Sequence, residues 1–234
     1  MSPTPAWGAV ILAAGEGRRM GGRPKGALCL DGVPVLRRQV LALQACGVGH
    51  VVVVLGRHAA ALAPLVADLG VQAVTLPPTT SDLITSQRAG LAQLPSSVDA
   101  AMLLLADQVL LNETDLREVQ AAWAGRDPAV HSLYPVVAGQ RGHPVLLSRS
   151  AGDTVCTQAE GQGVRHWQQH AGPMAVQAWP SGNPHFVTDV DTPDDVRRLD
   201  AALGGGRLGW PEAGGAMPAQ SGPPLSGLGR GSAL

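Results

Sequence analysis

Short apolar runs alternate along this chain with stretches in which apolar residues recur every three or four positions. Residues 9–13 are wholly apolar and read as a buried strand. Pro34 opens a helix over residues 35–45 that Gly47 closes. Four valines and a leucine within residues 50–55 predict a second buried strand. A helix over 59–69 ended by Gly70, a strand over 71–76 and a helix over 83–94 follow. Residues 100–106 are again wholly apolar and stop at Asp107, and Asn112 caps a helix over 113–124. Strands are expected near 130–137, 145–147, 175–179 and 186–190, with helical turns around 148–156 and 163–170. Thr192 caps a last helix, with Pro193 at its first position and Asp194 and Asp195 in its first turn. This alternation predicts an α/β fold, a mostly parallel sheet with helices on both faces. Ligands of such sheets sit beyond the carboxyl ends of the strands. From Gly204 onward the periodicity fails and Gly, Pro and Ser dominate. The folded domain is therefore expected over residues 1–203 and a flexible tail over 204–234.

The first strand runs into a glycine-rich loop, Gly15-Glu16-Gly17-Arg18-Arg19-Met20-Gly21-Gly22-Arg23-Pro24-Lys25. Glycines let a backbone approach a ligand and aim N–H groups at it. The whole chain has a net charge of −1, so the four cations of this loop are a local concentration rather than a sample of a basic protein. A polyphosphate is the natural guest, with Arg18, Arg19, Arg23 and Lys25 facing it. Two familiar phosphate loops do not fit. A Walker A loop needs Lys-Ser/Thr after its last glycine, and here Arg23-Pro24 follows Gly22. A dinucleotide fingerprint needs a third glycine where Met20 stands, and Pro24 argues against a helix through the loop.

Asp107 closes an apolar strand. A carboxylate there either meets a cation or metal or caps the following turn. Asp189 and Asp191 alternate on the strand expected at 186–190 and so share a face, although Asp191 also suits a supporting role at the Thr192 cap. Asp107 with Asp191 would make a hard oxygen site suited to Mg2+ and substrate phosphates. The connection Gly139-Gln140-Arg141-Gly142-His143-Pro144 offers a guanidinium and an imidazole, or is a plain hairpin turn. Ser86 reads as a polar contact rather than a nucleophile. Cys29, Cys46 and Cys156 lack C-x-x-C spacing, which argues against a disulfide frame or a zinc site and fits a reducing cytoplasm. The N-terminus does not read as a signal peptide, and no apolar stretch has the length of a membrane span. Near-zero net charge speaks against general nucleic-acid binding.

Taken in order, these segments resemble the MobA-like nucleotidyltransferases. Leu12-Ala13-Ala14-Gly15-x-Gly17-x-Arg19-Met20-Gly21 with Lys25 is similar to the signature loop of that family. Leu83-Ile84-Thr85-Ser86-Gln87-Arg88-Ala89-Gly90-Leu91 is similar to its second nucleotide-contacting segment, and Leu104-Leu105-Ala106-Asp107-Gln108 to its metal-binding strand end. Gly142-His143-Pro144-Val145-Leu146 and Asp189-Val190-Asp191-Thr192-Pro193-Asp194-Asp195 resemble the molybdenum cofactor cytidylyltransferase branch. The resemblance implies a Rossmann-like fold of the nucleotide-diphospho-sugar transferase type. It implies transfer of CMP from CTP to the terminal phosphate of molybdopterin with release of pyrophosphate, and a molybdoenzyme as recipient of the product. It further implies that Leu12, Ala13, Ala14, Gly15, Gly17, Arg18, Arg19, Lys25, Ser86 and Asp107 contact the nucleotide. On the same grounds Arg19, Lys25 and Asp107 serve the chemistry, and Asp107 and Asp191 hold Mg2+. Arg141, Gly142 and His143 would face the acceptor. Ala14 stands where the guanylyl branch usually has Gly, which favours CTP over GTP. The family usually has Pro where this chain has Val109, which implies a looser turn after Asp107; the stretch 79–82 is also less typical. Three other functions are compatible with the residues. One is nucleotidyl transfer to another small phosphate ester. Another is a non-catalytic carrier or chaperone of the molybdenum cofactor. The third is an NADP-dependent reductase, resting on Gly15-x-Gly17 and Arg57.

Overall fold

The strand opening the chain, β1 (Trp7–Ala13), is buried along its whole length. It is the centre of the molecule. In the computed structural model, which describes residues 5–77 and 82–211, a two-strand ribbon follows it, β2 (Cys29–Leu30) and β3 (Val33–Pro34). Then come α1 (Val35–Ala45), β4 (His50–Leu55), α2 (Ala59–Leu62), β5 (Gln72–Thr75), α3 (Leu83–Leu91) and β6 (Ala100–Leu105). The second half contributes α4 (Glu113–Ala124), β7 (Ser132–Val137), β8 (Gln140–Arg141), β9 (Val145–Ser148), α5 (Arg149–Thr157), α6 (Val164–His170) and β10 (Val176–Pro180). It closes with α7 (Pro193–Ala202) and β11 (Leu208–Gly209). Residues 1–4, residues 79–81 of the atypical stretch noted above and residues 212–234 of the expected tail lie outside the described residues.

Among the described residues eight strands form one sheet in the order β10-β7-β9-β6-β1-β4-β5, with β8 attached to β7. β1 pairs in parallel with both β4 and β6, β4 with β5, and β10 with β7; β9 runs antiparallel between β6 and β7. Strand alternation divides the core into two layers. Ile11, Val53 and Leu104 face Leu36, Val40, Leu116 and Trp123 of α1 and α4. Val10, Val52 and Leu103 face Leu91, Val155 and Val164 of α3, α5 and α6. The mostly parallel sheet with both faces covered is the architecture expected. No helix among the described residues is long and apolar enough to cross a membrane.

Local chemistry explains the helix ends. Asn112 accepts from the backbone N–H groups of Thr114 and Asp115, and Asp115 returns the bond to Asn112, a capping box. Thr192 and Asp195 do the same for α7. Three expectations need correction. The helix expected over 59–69 is a short α2 continued by a 3-10 turn, Ala63–Leu65, because Pro64 cannot donate the next helical bond. The strand expected at 186–190 is a 3-10 turn, Pro184–Val187, with Pro184 at its start and the Asn183 side chain accepting from His185 N–H. Strand alternation therefore does not set the positions of Asp189 and Asp191. The chain beyond Gly204 is also not wholly a free tail. The Asp200 carboxylate accepts from the N–H groups of Gly206, Arg207 and Leu208, each at 2.8 Å, and turns the chain back after α7. β11 then pairs antiparallel with β2, and Arg207 meets Asp31 through two bonds of 2.7 Å. Leu208 enters a third apolar cluster with Met20, Leu28, Leu30, Val35, Val109, Val190 and Val196.

Candidate active site

Beyond the carboxyl end of β1 the chain enters two tight turns. Gly17 has a φ of 65°, and a Cβ there would lie 2.1 Å from the Arg23 carbonyl oxygen, so only glycine lets the loop close on itself. Gly17 O accepts from Met20 N–H at 2.8 Å and from Gly22 N–H at 2.9 Å. Met20 is buried in the third cluster and pins the loop from below. His58 Nε2 lies 3.0 Å from Glu16 O and ties the loop to the start of α2. After Pro24 a 3-10 turn, Lys25–Ala27, sends Lys25 back toward the sheet. The loop is thus built from short turns, as the proline required, and its central backbone is fixed.

A cavity of about 240 Å³ opens where this loop crosses the ends of β1 and β6. Its walls include Leu12, Ala13, Ala14, Gly15, Gly17, Lys25, Ser86 and Asp107. Eight of the ten residues expected to touch a nucleotide are therefore brought together. Gly26, Leu83, Leu105 and Ala106 also line it. The sequence pattern offered no polar signal for these four, although Gly26 packs where a Cβ would meet Leu36 at 3.3 Å. Ser86 is buried on α3, whose N-terminus is capped by the Asp82 side chain accepting from Thr85 N–H. Its hydroxyl donates to Asp82 O at 2.8 Å, which suits a contact group rather than a nucleophile.

Arg18 and Arg19, the other two, do not line the cavity. Arg18 is exposed and pairs with Glu16. Arg19 donates through Nη1 to Asp191 Oδ2 at 2.9 Å. Arg23, also expected to face the phosphates, instead lies over the Trp210 ring, 5.4 Å from its centroid.

The acidic residues converge although the strand that was to align them is absent. Val190 N–H donates to Asp107 O at 3.2 Å, which brings the segment before α7 against the end of β6. Lys25 Nζ donates to Asp107 Oδ2 at 2.9 Å and also to Asp191 Oδ1. Burial works to lower the Lys25 pKa, but the charges and hydrogen bonds of Asp107 and Asp191 outweigh it and hold the ammonium above its ordinary value. Asp189 is pushed up, first by burial and then by the negative charges of Asp107 and Asp191. Asp107 Oδ1 is buried without a hydrogen-bond partner. Among the described residues no group of three or more His, Cys, Asp or Glu side chains gathers as a metal cage. Two carboxylates with a free oxygen still suit a hard divalent ion that takes its other ligands from phosphate and water.

Behind Asp107, polar side chains fix the turn. Gln39, buried on the apolar stripe of α1, donates to Leu105 O at 2.8 Å and to Gln108 O at 3.1 Å. Gln108 donates to Phe186 O at 3.2 Å. A glutamine among Leu36, Val40 and Leu43 was the signal in the sequence for this support. Val109, expected to loosen the turn, is buried beside Val190 and Met20 and fills the third cluster.

The 139–144 connection is a hairpin turn, with β8 paired to β7. Its residues do not line the cavity. Arg141 lies over Tyr134, 3.9 Å from the ring centroid, and donates to Gln168. A Cβ on Gly142 would lie 2.4 Å from Phe186 O. His143 N–H donates to that same oxygen at 2.9 Å. Burial, with a smaller contribution from Arg141, lowers the His143 pKa from 6.5 to about 4, so its ring is neutral near pH 7.

The family model of the MobA-like NTP transferase domain matches residues 9–194. The bifunctional protein GlmU of Mycolicibacterium gilvum is 29% identical over 157 residues, which cover 62% of this chain and 31% of GlmU. The chain thus spans about a third of the length of that curated relative. The crystal structure of Rv0371c from Mycobacterium tuberculosis H37Rv is 28% identical, with a TM-score of 0.67 over 85% of this chain and 98% of that one. Rv0371c has also been solved in complex with manganese, matching at 26% identity and a TM-score of 0.62 over 82% of this chain and 97% of that one. A nucleotidyl transferase from Methanothermobacter thermautotrophicus shares the fold at 20% identity, with a TM-score of 0.66 over 84% of this chain and 97% of that one.

Proposed function

Because the chain belongs to the MobA-like NTP transferase domain family, we propose that it transfers CMP from CTP to the terminal phosphate of molybdopterin and releases pyrophosphate. The observation that carries this reading is the cavity lined by Gly15, Gly17 and Ser86 and by the paired Lys25 and Asp107. Such a site holds a nucleotide with its phosphates toward that charged pair. The acceptor phosphate oxygen forms a bond to the α-phosphorus as the bond to the β-phosphate bridging oxygen breaks. Both partners are anions, so the barrier is largely electrostatic repulsion. Lys25 supplies positive charge at the phosphates, and the loop N–H groups orient them. Arg19 and Arg18 flank the loop mouth, where the charge of a departing pyrophosphate develops. No covalent intermediate on the protein is required.

Mg2+ fits this site as its cofactor. Asp107 and Asp191 would hold it, the unpartnered Asp107 Oδ1 being the oxygen free to do so. Bound there, it would neutralise phosphate charge. The manganese complex of Rv0371c supports a divalent ion in this fold. The hairpin with Arg141, Gly142 and His143 leaves β7 at the same end of the sheet, and the pterin acceptor would bind beside it. A neutral His143 ring can exchange hydrogen bonds with a heterocycle without carrying a charge at pH 7. Ala14, which lines the cavity where the guanylyl branch usually has Gly, favours CTP over GTP. The product would pass to a molybdoenzyme. The test is pyrophosphate release with Mg2+, each NTP in turn, and molybdopterin or other small phosphate esters. Release that depends on CTP and molybdopterin together is expected. Release with a different acceptor would replace the substrate, and binding of molybdopterin without release would replace the enzyme with a carrier.

A further inference from the structure

We infer that Lys25 occupies the place of the divalent cation in the nucleotide-free protein, so that the metal binds weakly until a nucleotide joins it. The inference rests on the reading that Asp107 and Asp191 are the metal ligands. Their two carboxylates present four oxygens. Lys25 Nζ takes one from each, Asp107 Oδ2 at 2.9 Å and Asp191 Oδ1. Arg19 takes the second oxygen of Asp191 at 2.9 Å. Only Asp107 Oδ1 is left without a partner. Lys25 and Arg19 thus engage both of these carboxylates before any ion arrives, with Asp189 as a further neighbouring carboxyl. A divalent ion alone would meet one free oxygen and the repulsion of an ammonium already seated between the carboxylates.

A nucleoside triphosphate changes this balance. Its phosphates, cradled by the loop, offer Lys25 an alternative set of anionic oxygens. Lys25 has a flexible four-carbon stem and is anchored on the 3-10 turn at the loop's end, so it can exchange carboxylate for phosphate without moving the fold. The carboxylates it leaves are then free for the ion, and the phosphates complete its shell. Metal and nucleotide therefore raise each other's affinity, by the same factor in each direction.

Mn2+ binding read by electron paramagnetic resonance tests this on the full chain. The variants are Lys25→Met, which keeps the length of the side chain and removes its charge, and Asp107→Asn. Thermal unfolding checks that each is folded. Without nucleotide, wild type should bind Mn2+ weakly and Lys25→Met should bind it about tenfold more tightly, within the usual span of a coupling free energy. A non-hydrolysable CTP analogue should tighten Mn2+ binding to wild type and have a much smaller effect on Lys25→Met. Unchanged or weaker Mn2+ binding in folded Lys25→Met would overturn the inference, and if Asp107→Asn abolished that binding the metal reading would stand without it. No Mn2+ binding in any form, with or without the analogue, would overturn both.

Discussion

Gly90 tests whether helix propensity or packing decides the fit of α3 against the sheet. In an isolated helix Gly→Ala gains about 0.8–1 kcal/mol. In this protein a Cβ on Gly90 would lie 2.2 Å from Val10 Cγ1 and 2.9 Å from Val54 Cγ2. The first of these is about 1.2 Å inside the 3.4 Å at which ordinary contact begins, so α3 or β1 must give by that much. Val10 and Val54 are themselves fully buried on two central strands, and their χ1 rotamers are stiff. The helix is the partner that moves. Overpacking of this kind costs about 1–3 kcal/mol. With the clash against two β-branched side chains, the upper figure applies, and after the propensity gain the net loss is about 2 kcal/mol. For a chain of this size that lowers Tm by about 4–8 °C. Ser86 lies one turn before Gly90 on the same helix, so the cavity wall retreats with it and the KM for nucleotide rises. Gly152 on α5 is the control. A Cβ there meets only Leu91 Cδ2 at 3.8 Å, so Gly152→Ala should raise stability by up to about 1 kcal/mol. Thermal unfolding by circular dichroism, with nucleotide KM from pyrophosphate release, reads both variants. A Tm for Gly90→Ala equal to or above wild type would refute the packing argument.

Four further outcomes are expected. Asp107→Asn and Asp191→Asn should each lower turnover by about tenfold to a hundredfold, the cost of one charged contact. The double variant should lose less than the product of the two, because both act through Lys25 and the ion, and Asp189→Asn should cost less; full activity in Asp107→Asn would remove it from the chemistry. His143 gives a pH signature. Between pH 6.5 and about 4 the unfolded chain takes up a proton that folded His143 refuses, so stability falls as pH is lowered through that window. That part of the slope should be absent in His143→Gln urea unfolding curves, and identical slopes would refute it. Ending the chain after Leu203 should lower Tm by about 4–10 °C, since it exposes the cluster that Leu208 covers; an unchanged Tm would show that β11 contributes nothing. Ala14→Gly should shift the CTP-to-GTP ratio of kcat/KM toward GTP by about 1–3 kcal/mol at most, and equal use of both nucleotides by wild type would refute the role of its methyl.

The parts of this protein that were legible in its sequence are those decided locally. β6 is an unbroken apolar run and β4 is one after His50, and α1 and α4 carry their own start signals, so their positions followed from period and caps. The glycine loop and Lys25 were legible because their residue types are costly anywhere else. What was not legible depends on distant partners or on local turn signals that compete with an apolar run. The turn at Pro184–Val187 keeps the apolar content of a strand, yet Asn183 and Pro184 commit it to a 3-10 turn. Leu208 is one apolar residue in a glycine-rich stretch, and its strand partner Leu30 lies at the other end of the chain. Arg18 and Arg23 were expected to face the phosphates by charge, and Arg18 and Arg141 to face ligands by family resemblance; the contacts they make in the structure were not foreseen. Their observed partners, Glu16, Trp210 and Tyr134, are near or far in sequence with no pattern that announces them. Asp107 and Asp191 do meet, on Lys25, and a backbone bond from Val190 to Asp107 brings their segments together, whereas the strand alternation expected for Asp189 and Asp191 is absent.

The seating of Leu208 beneath Met20 also bears on how the molecule is made. During synthesis the glycine loop emerges early, soon after β1, while the strand that closes the cluster under it is among the last described residues to leave the ribosome. The sheet can assemble from β1, β4 and β5 long before that, since these strands are near one another in sequence. The floor of the loop cannot. Val109, Val190, Val196 and Leu208 reach it one after another as the chain lengthens. A nascent chain stalled between β10 and β11 would hold a formed sheet and an unfinished phosphate loop, so nucleotide should add little protection against proteolysis until β11 is in place.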